Sequence, residues 1–82
     1  MQHGTVTQVE PDKKRFIVLI EDKAYALWEC NDPAEIAVGS RLKGLLYKVG
    51  PAVLHNLGSG KTLHAIGHTG ACSAAHCRNG LV

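Results

Sequence analysis

The stretch Lys13 to Cys30, KKRFIVLIEDKAYALWEC, constrains this chain more than any other. It holds the only Trp, the only Phe and one of the two Tyr. It reads as two strands folded back on each other over Glu21-Asp22-Lys23. In the first, Arg15 to Ile20, side chains Phe16, Val18 and Ile20 share one face while Ile17 and Leu19 share the other. Apolar residues on both faces mean that the strand is covered on both sides, or that one face is a contact surface. In the second, Lys23 to Glu29, Tyr25 and Leu27 point one way and Ala24, Ala26 and Trp28 the other.

The rest of the chain repeats the pattern of short runs between turns. Gly4 to Val9, rich in β-branched residues, is a strand, closed by a turn over Glu10 to Lys14. Asn31-Asp32-Pro33-Ala34-Glu35 carries an N-cap, a Pro for the first helical position and a Glu placed as in a capping box. It predicts a helix of one or two turns, with Ile36 facing the core and Gly39 as its stop. Arg41 to Val49 is a fourth strand with a bulge or bend at Gly44, and Gly50-Pro51 a turn. Ala52 to Leu57 is a fifth strand, Gly58-Ser59-Gly60 a turn, and Lys61 to Ile66 a sixth. Strand after strand with frequent turns makes an all-β domain. Residues 1–69 are read as the barrel and residues 70–82 as a Cys/His tail, with Ala71 to Arg78 either a short helix or disordered.

Eighty-two residues leave room for one domain with a modest core. The opening MQHGTV has no basic segment followed by an apolar one, so no signal peptide is expected. No apolar run is long enough for a membrane-spanning helix. Three cysteines, Cys30, Cys72 and Cys77, are an odd number without the spacing of a disulfide framework. The expectation is a cytoplasmic protein with free thiols. The net charge of +2 conceals an asymmetry. All seven acids lie in residues 1–39, whereas residues 40–82 carry Arg41, Lys43, Lys48, Lys61 and Arg78 and no acid. If the second half forms one side of the fold, that side is electropositive and suits an anionic partner.

Strand, strand, strand, short helix, strand, strand is the order of an OB-type Greek-key barrel, here with five to six strands and its short helix between strands three and four. Within that class residues 4–57 resemble a cold-shock domain. Gly4-Thr5-Val6 is similar to the family's opening Gly-Thr-Val, and Lys13 to Ile17 occupies the place of its Lys-Gly-Phe-Gly-Phe-Ile motif. Tyr25-Ala26-Leu27-Trp28 looks like its Val-Phe-Val-His-Phe stretch, Val38-Gly39 like its Glu-Gly, and Gly50-Pro51 with Ala52 and Asn56 like its Gly-Pro-x-Ala-x-Asn ending. The resemblance implies single-stranded RNA or DNA stacked on exposed aromatics of strands two and three. Only Phe16, Tyr25 and, less closely, Trp28 fall on such positions; Leu27 stands where the family has His, and the motif glycines are missing. Trp28 is assigned to the core. Phe16 and Tyr25, taken as cross-strand neighbours, form the candidate platform, with Lys14, Arg15, Lys23, Arg41, Lys43 and Lys61 as phosphate contacts.

Other motifs are weaker. Gly58-Ser59-Gly60-Lys61-Thr62 looks like a phosphate loop, but His55 stands where that loop needs Gly and a strand follows instead of a helix. A glycine hairpin turn is the expected role, with Lys61 and the loop amides still able to meet a phosphate. His64, His68, Cys72 and His76 recur every four residues, yet neither CxxC nor HExxH supports a metal site, so no metal or other cofactor is expected. No nucleophile, base and orienter can be assembled, so no enzyme is expected. The leading expectation is weak binding of single-stranded nucleic acid over strands two and three. The alternative is a protein-interaction or structural module, or a homodimer, using exposed Ile and Val of strand two; a metal or redox role of the tail is the lesser one.

Overall fold

The computed structural model describes residues 1–10, 12, 14–21, 23–30, 36–69 and 73–79. Its strands are β1 (Gln2–Glu10), β2 (Arg15–Ile20), β3 (Ala24–Cys30), β4 (Arg41–Gly44), β5 (Gly50–Asn56) and β6 (Thr62–Gly67), followed by a helix, α1 (Ala74–Asn79). The strands close into a barrel in the order β1-β2-β3-β6-β5-β4, with β4 returning to β1. Each meander of three strands is sequential, and the β3–β4 connection crosses over to place β4 beside β1. Every neighbouring pair is antiparallel. Strand direction alternates around a closed ring only if the number of strands is even, so the sixth strand is what lets every pair be antiparallel.

Alternation builds the interior. Phe16, Val18 and Ile20 from β2 meet Ala26 and Trp28 from β3, with Val6, Leu42, Leu54 and Ala65 from the other strands. Val6 and Val9 are three residues apart, which on a regular strand puts them on opposite faces. A bulge at Thr7 shifts the register, since Val6 pairs with Val18 but Gln8 with Ile17, and so both valines turn towards the core. The Trp28 indole N–H donates to the Leu46 carbonyl at 3.2 Å, satisfying the largest core side chain across the barrel.

Two boundaries differ from the sequence expectation. Strand four ends at Gly44 rather than Val49, because the chain turns over Leu45–Lys48 and drops Leu46 into the core with no exposed surface. Close packing favours glycine at position 44: a Cβ there would lie 2.8 Å from Leu54 Cδ2 and 3.3 Å from the Val53 carbonyl oxygen, so the Leu54 side chain would have to shift. With the turn moved forward to Leu45–Lys48, Gly50 and Pro51 open β5 instead of forming a turn of their own. The helix expected between strands three and four falls on residues 31–35, outside the described residues. Ile36 just beyond them is buried, and Gly39, at φ +94°, donates its N–H to the Val6 carbonyl.

The described helix is C-terminal, Ala74–Asn79, and overlaps the short helix that is one of the two expectations for Ala71 to Arg78. It packs on β3, where buried Cys77 joins Ile17, Leu27 and the half-buried Tyr25 in a second, smaller cluster outside the barrel. This covers the second apolar face of β2, so Ile17 is not the exposed contact residue of the protein-interaction expectation, and Val18 lies inside the barrel. Cys77 is disulfide-bonded, which corrects the expectation of free thiols, while Cys30 is a core residue. Among the described residues no helix is long and apolar enough to cross a membrane.

Candidate functional site

The register separates the expected aromatic pair. Phe16 lies opposite Trp28, and Tyr25 lies opposite Leu19. A turn that pairs Ile20 with Ala24 puts even-numbered positions of both strands inside, so Phe16 and Tyr25 point to opposite faces. Phe16 is fully buried and offers no ring face to a base, which corrects its place in the platform. Tyr25 faces outward but leans on the Ile17, Leu27 and Cys77 cluster.

Two of the basic candidates also separate from the rest. Arg15 stands in register between Glu10 and Glu29, and its Nε donates to Glu29 Oε1 at 3.3 Å. His68 Nε2 meets the same oxygen at 3.0 Å. The His68 hydrogen bond is the main reason that the Glu29 carboxyl titrates below its usual range; Arg15 adds to it and partial burial opposes it. The Arg15 charge is therefore engaged within the barrel wall. Lys14 sits exposed in the β1–β2 turn at φ 56°, where its carbonyl accepts from the Cys30 N–H.

The remaining candidates meet on the outer face of β1, β4 and β5. Odd-numbered residues of these strands point outward before the β1 bulge, and the register sets them in two rows. One runs Tyr25, Leu19, Thr5, Arg41. Leu57 extends it, donating its N–H to the Arg41 carbonyl at 2.9 Å. The other runs Glu21, His3, Lys43, His55, Thr62, with the Glu21 N–H donating to the His3 carbonyl at 2.9 Å. Neighbours within a row stand ~4.8 Å apart and the rows ~6.6 Å apart. Arg41, His3 and Glu21 are exposed, and Lys43 and His55 half-buried. Lys61 follows in the adjoining β5–β6 turn, and Lys23 in the β2–β3 turn beside Glu21.

β4, β5 and β6 are contiguous in the barrel, so the acid-free half of the sequence does form one side of the fold. Sequence reasoning found Arg41 and Lys43 but missed His3, Thr5, Glu21 and His55. Alternation shows which way those side chains point, yet only the β1–β4 pairing shows that they are neighbours.

The glycine turn is a hairpin turn, as expected, and it holds no phosphate nest. Asn56 Oδ1 accepts from the amides of Gly58 and Ser59, the Asn56 carbonyl from Gly60, and Ser59 Oγ from Lys61. All four amides are thus used internally. His64 is exposed on β6, His68 is bound to Glu29, His76 is exposed on α1, and Cys72 lies outside the described residues. Among the described residues no three metal-ligating side chains converge. Further along the outer face of β5 and β6, Pro51 pairs with Ile66 and Val53 with His64; Val53 and Ile66 are each 45% exposed.

Compared with family models, characterised proteins and solved structures, the chain matches none.

Proposed function

We propose that this chain is a small OB-like binding module that takes single-stranded nucleic acid across the outer face of β1, β4 and β5, mainly through its phosphates. The observation that carries this reading is the row His3, Lys43, His55 beside Arg41, on the side of the barrel whose strands β4, β5 and β6 contain no acid. The likeness to the cold-shock domain supports it through strand order, not through stacking, because Phe16 is internal and α1 packs over β2 and β3. Tyr25 remains as one aromatic at the edge of the surface. Affinity is therefore weak, tolerant of sequence along most of the strand and steeply dependent on salt.

Fluorescence anisotropy of a labelled oligothymidine at low salt tests it. Trp28 emission is a poor reporter, since the indole is fully buried. Binding that weakens as salt rises supports the reading, and absence of binding at the lowest salt ends it.

A second reading rests on the adjoining stretch of the same wall, where Pro51, Val53 and Ile66 form an exposed apolar strip along β5 and β6. As a protein-contact patch it predicts a concentration-dependent rise in sedimentation coefficient that Val53→Lys abolishes. A monomer at all concentrations removes the self-association form of this reading.

A further inference from the structure

The two rows frame a groove between Glu21 and Arg41, walled by Leu19 and Leu57 with Thr5 and His3 along it. We propose that this groove is a base-reading subsite selective for guanine. The inference rests on the nucleic-acid reading above and adds a preference to it.

Three observations converge on it. First, Glu21 is the single carboxylate in the two rows, set at the edge of a surface otherwise made of cations, imidazoles, hydroxyls and two leucines. A surface built only to hold phosphates gains nothing from an acid there. Second, Glu21 occupies φ 51°, in the left-handed region where Gly or Asn is the ordinary choice. Lys14 carries the same backbone cost at φ 56°, but of the two only Glu21 stands in the rows. Third, the spacing suits one nucleotide. Two strand steps of ~4.8 Å and one two-residue step of ~6.6 Å put the Glu21 and Arg41 Cα atoms ~12 Å apart. That span lets a base edge meet the carboxylate while its phosphate meets the guanidinium. Leu19 and Leu57 supply apolar walls for the base.

The choice of base follows from donor geometry. An ionised carboxylate only accepts hydrogen bonds and accepts two in parallel. Guanine alone presents two adjacent donors on its Watson–Crick edge, N1–H and the N2 amino group. Adenine and cytosine each set an acceptor beside their amino group, and thymine and uracil set their one N–H between two carbonyls. Each of those acceptors would face a carboxylate oxygen.

Anisotropy titrations with the intact protein test this. The probes are oligothymidine, the same strand with isolated guanines between thymines, and that strand with inosine for guanine. Isolated guanines avoid quadruplexes, and inosine lacks only the N2 amino group. The guanine strand binds about tenfold tighter than oligothymidine, and inosine loses most of that gain. Glu21→Gln, at an exposed turn position, loses the guanine preference, so that guanine and thymine strands bind it alike. Equal affinity for guanine and thymine strands, or a preference that survives Glu21→Gln, overturns the subsite alone. Absence of binding to every strand overturns the nucleic-acid reading and the subsite with it.

Discussion

Lys43→Ala is the most informative single perturbation of the proposed surface. Lys43 stands at the centre of the outer rows, between His3 and His55 and beside Arg41. If Arg41, Lys43 and Lys61 each neutralise one phosphate, single-strand counterion release gives a log–log salt slope of about −2.1. Affinity then falls about 18-fold between about 50 and 200 mM salt. Removing Lys43 brings the slope to about −1.4 and that fall to about sevenfold. The assay is anisotropy of a labelled oligothymidine at several salt concentrations, at a pH above the range in which imidazoles ordinarily titrate. Lys14→Ala is the matched control, because Lys14 is equally cationic but lies in the β1–β2 turn outside the rows. An unchanged slope in Lys43→Ala, or an equal drop in Lys14→Ala, refutes a localised site and leaves only diffuse attraction to a basic protein.

Four further outcomes follow from the packing and the charges. Gly67→Ala drives a methyl group into the Lys48 carbonyl and 3.3 Å from the Trp28 ring, so its urea midpoint falls by the equivalent of about 3 kcal/mol; an unchanged midpoint contradicts that close approach. Leu27→Ala empties the cluster under α1 and costs about 2–5 kcal/mol, read by circular dichroism during denaturation, with dye binding marking exposure of Ile17. Glu29→Gln tests the seam between β3 and β6. The carboxyl titrates below its usual range in the folded protein, so its contribution is complete at neutral pH and declines as pH falls through the folded-state value. The variant is therefore less stable than the parent at neutral pH, and the gap closes in acid; a gap that is constant with pH contradicts the assignment. Glu21→Gly relieves the left-handed backbone and stabilises by about 1 kcal/mol in thermal melts while losing the guanine preference.

The parity of the β2–β3 hairpin is legible in the amino-acid order alone. Phe16, Val18 and Ile20 alternate with Ile17 and Leu19, and a turn over Glu21–Lys23 that pairs Ile20 with Ala24 already places Phe16 on the side of Trp28. The expected pairing of Phe16 with Tyr25 takes its register from the tight turn, and the register that this turn sets does not allow it. The glycine turn is legible for a local reason as well, since Asn56, Gly58 and Ser59 close it through their own side chain and amides. The end of strand four is not legible, because RLKGLLYKV has the composition of a strand throughout, whereas the turn over Leu45–Lys48 that carries Leu46 into the core ends it at Gly44.

Hydrophobic alternation and turn residues are local properties, and they suffice for an all-β barrel with Trp28 in its core and an acid-free second half. Which neighbours those residues have depends on contacts between distant parts of the chain. Such contacts bring α1 from the far end onto Ile17 and Leu27, and so cover the outer face of β2 and β3 there. They also set His3 and Thr5 of β1 beside Lys43 and Arg41 of β4, a pairing between segments far apart in the chain. Alternation tells a side chain which way to point, but only closure of the barrel tells it what stands next to it.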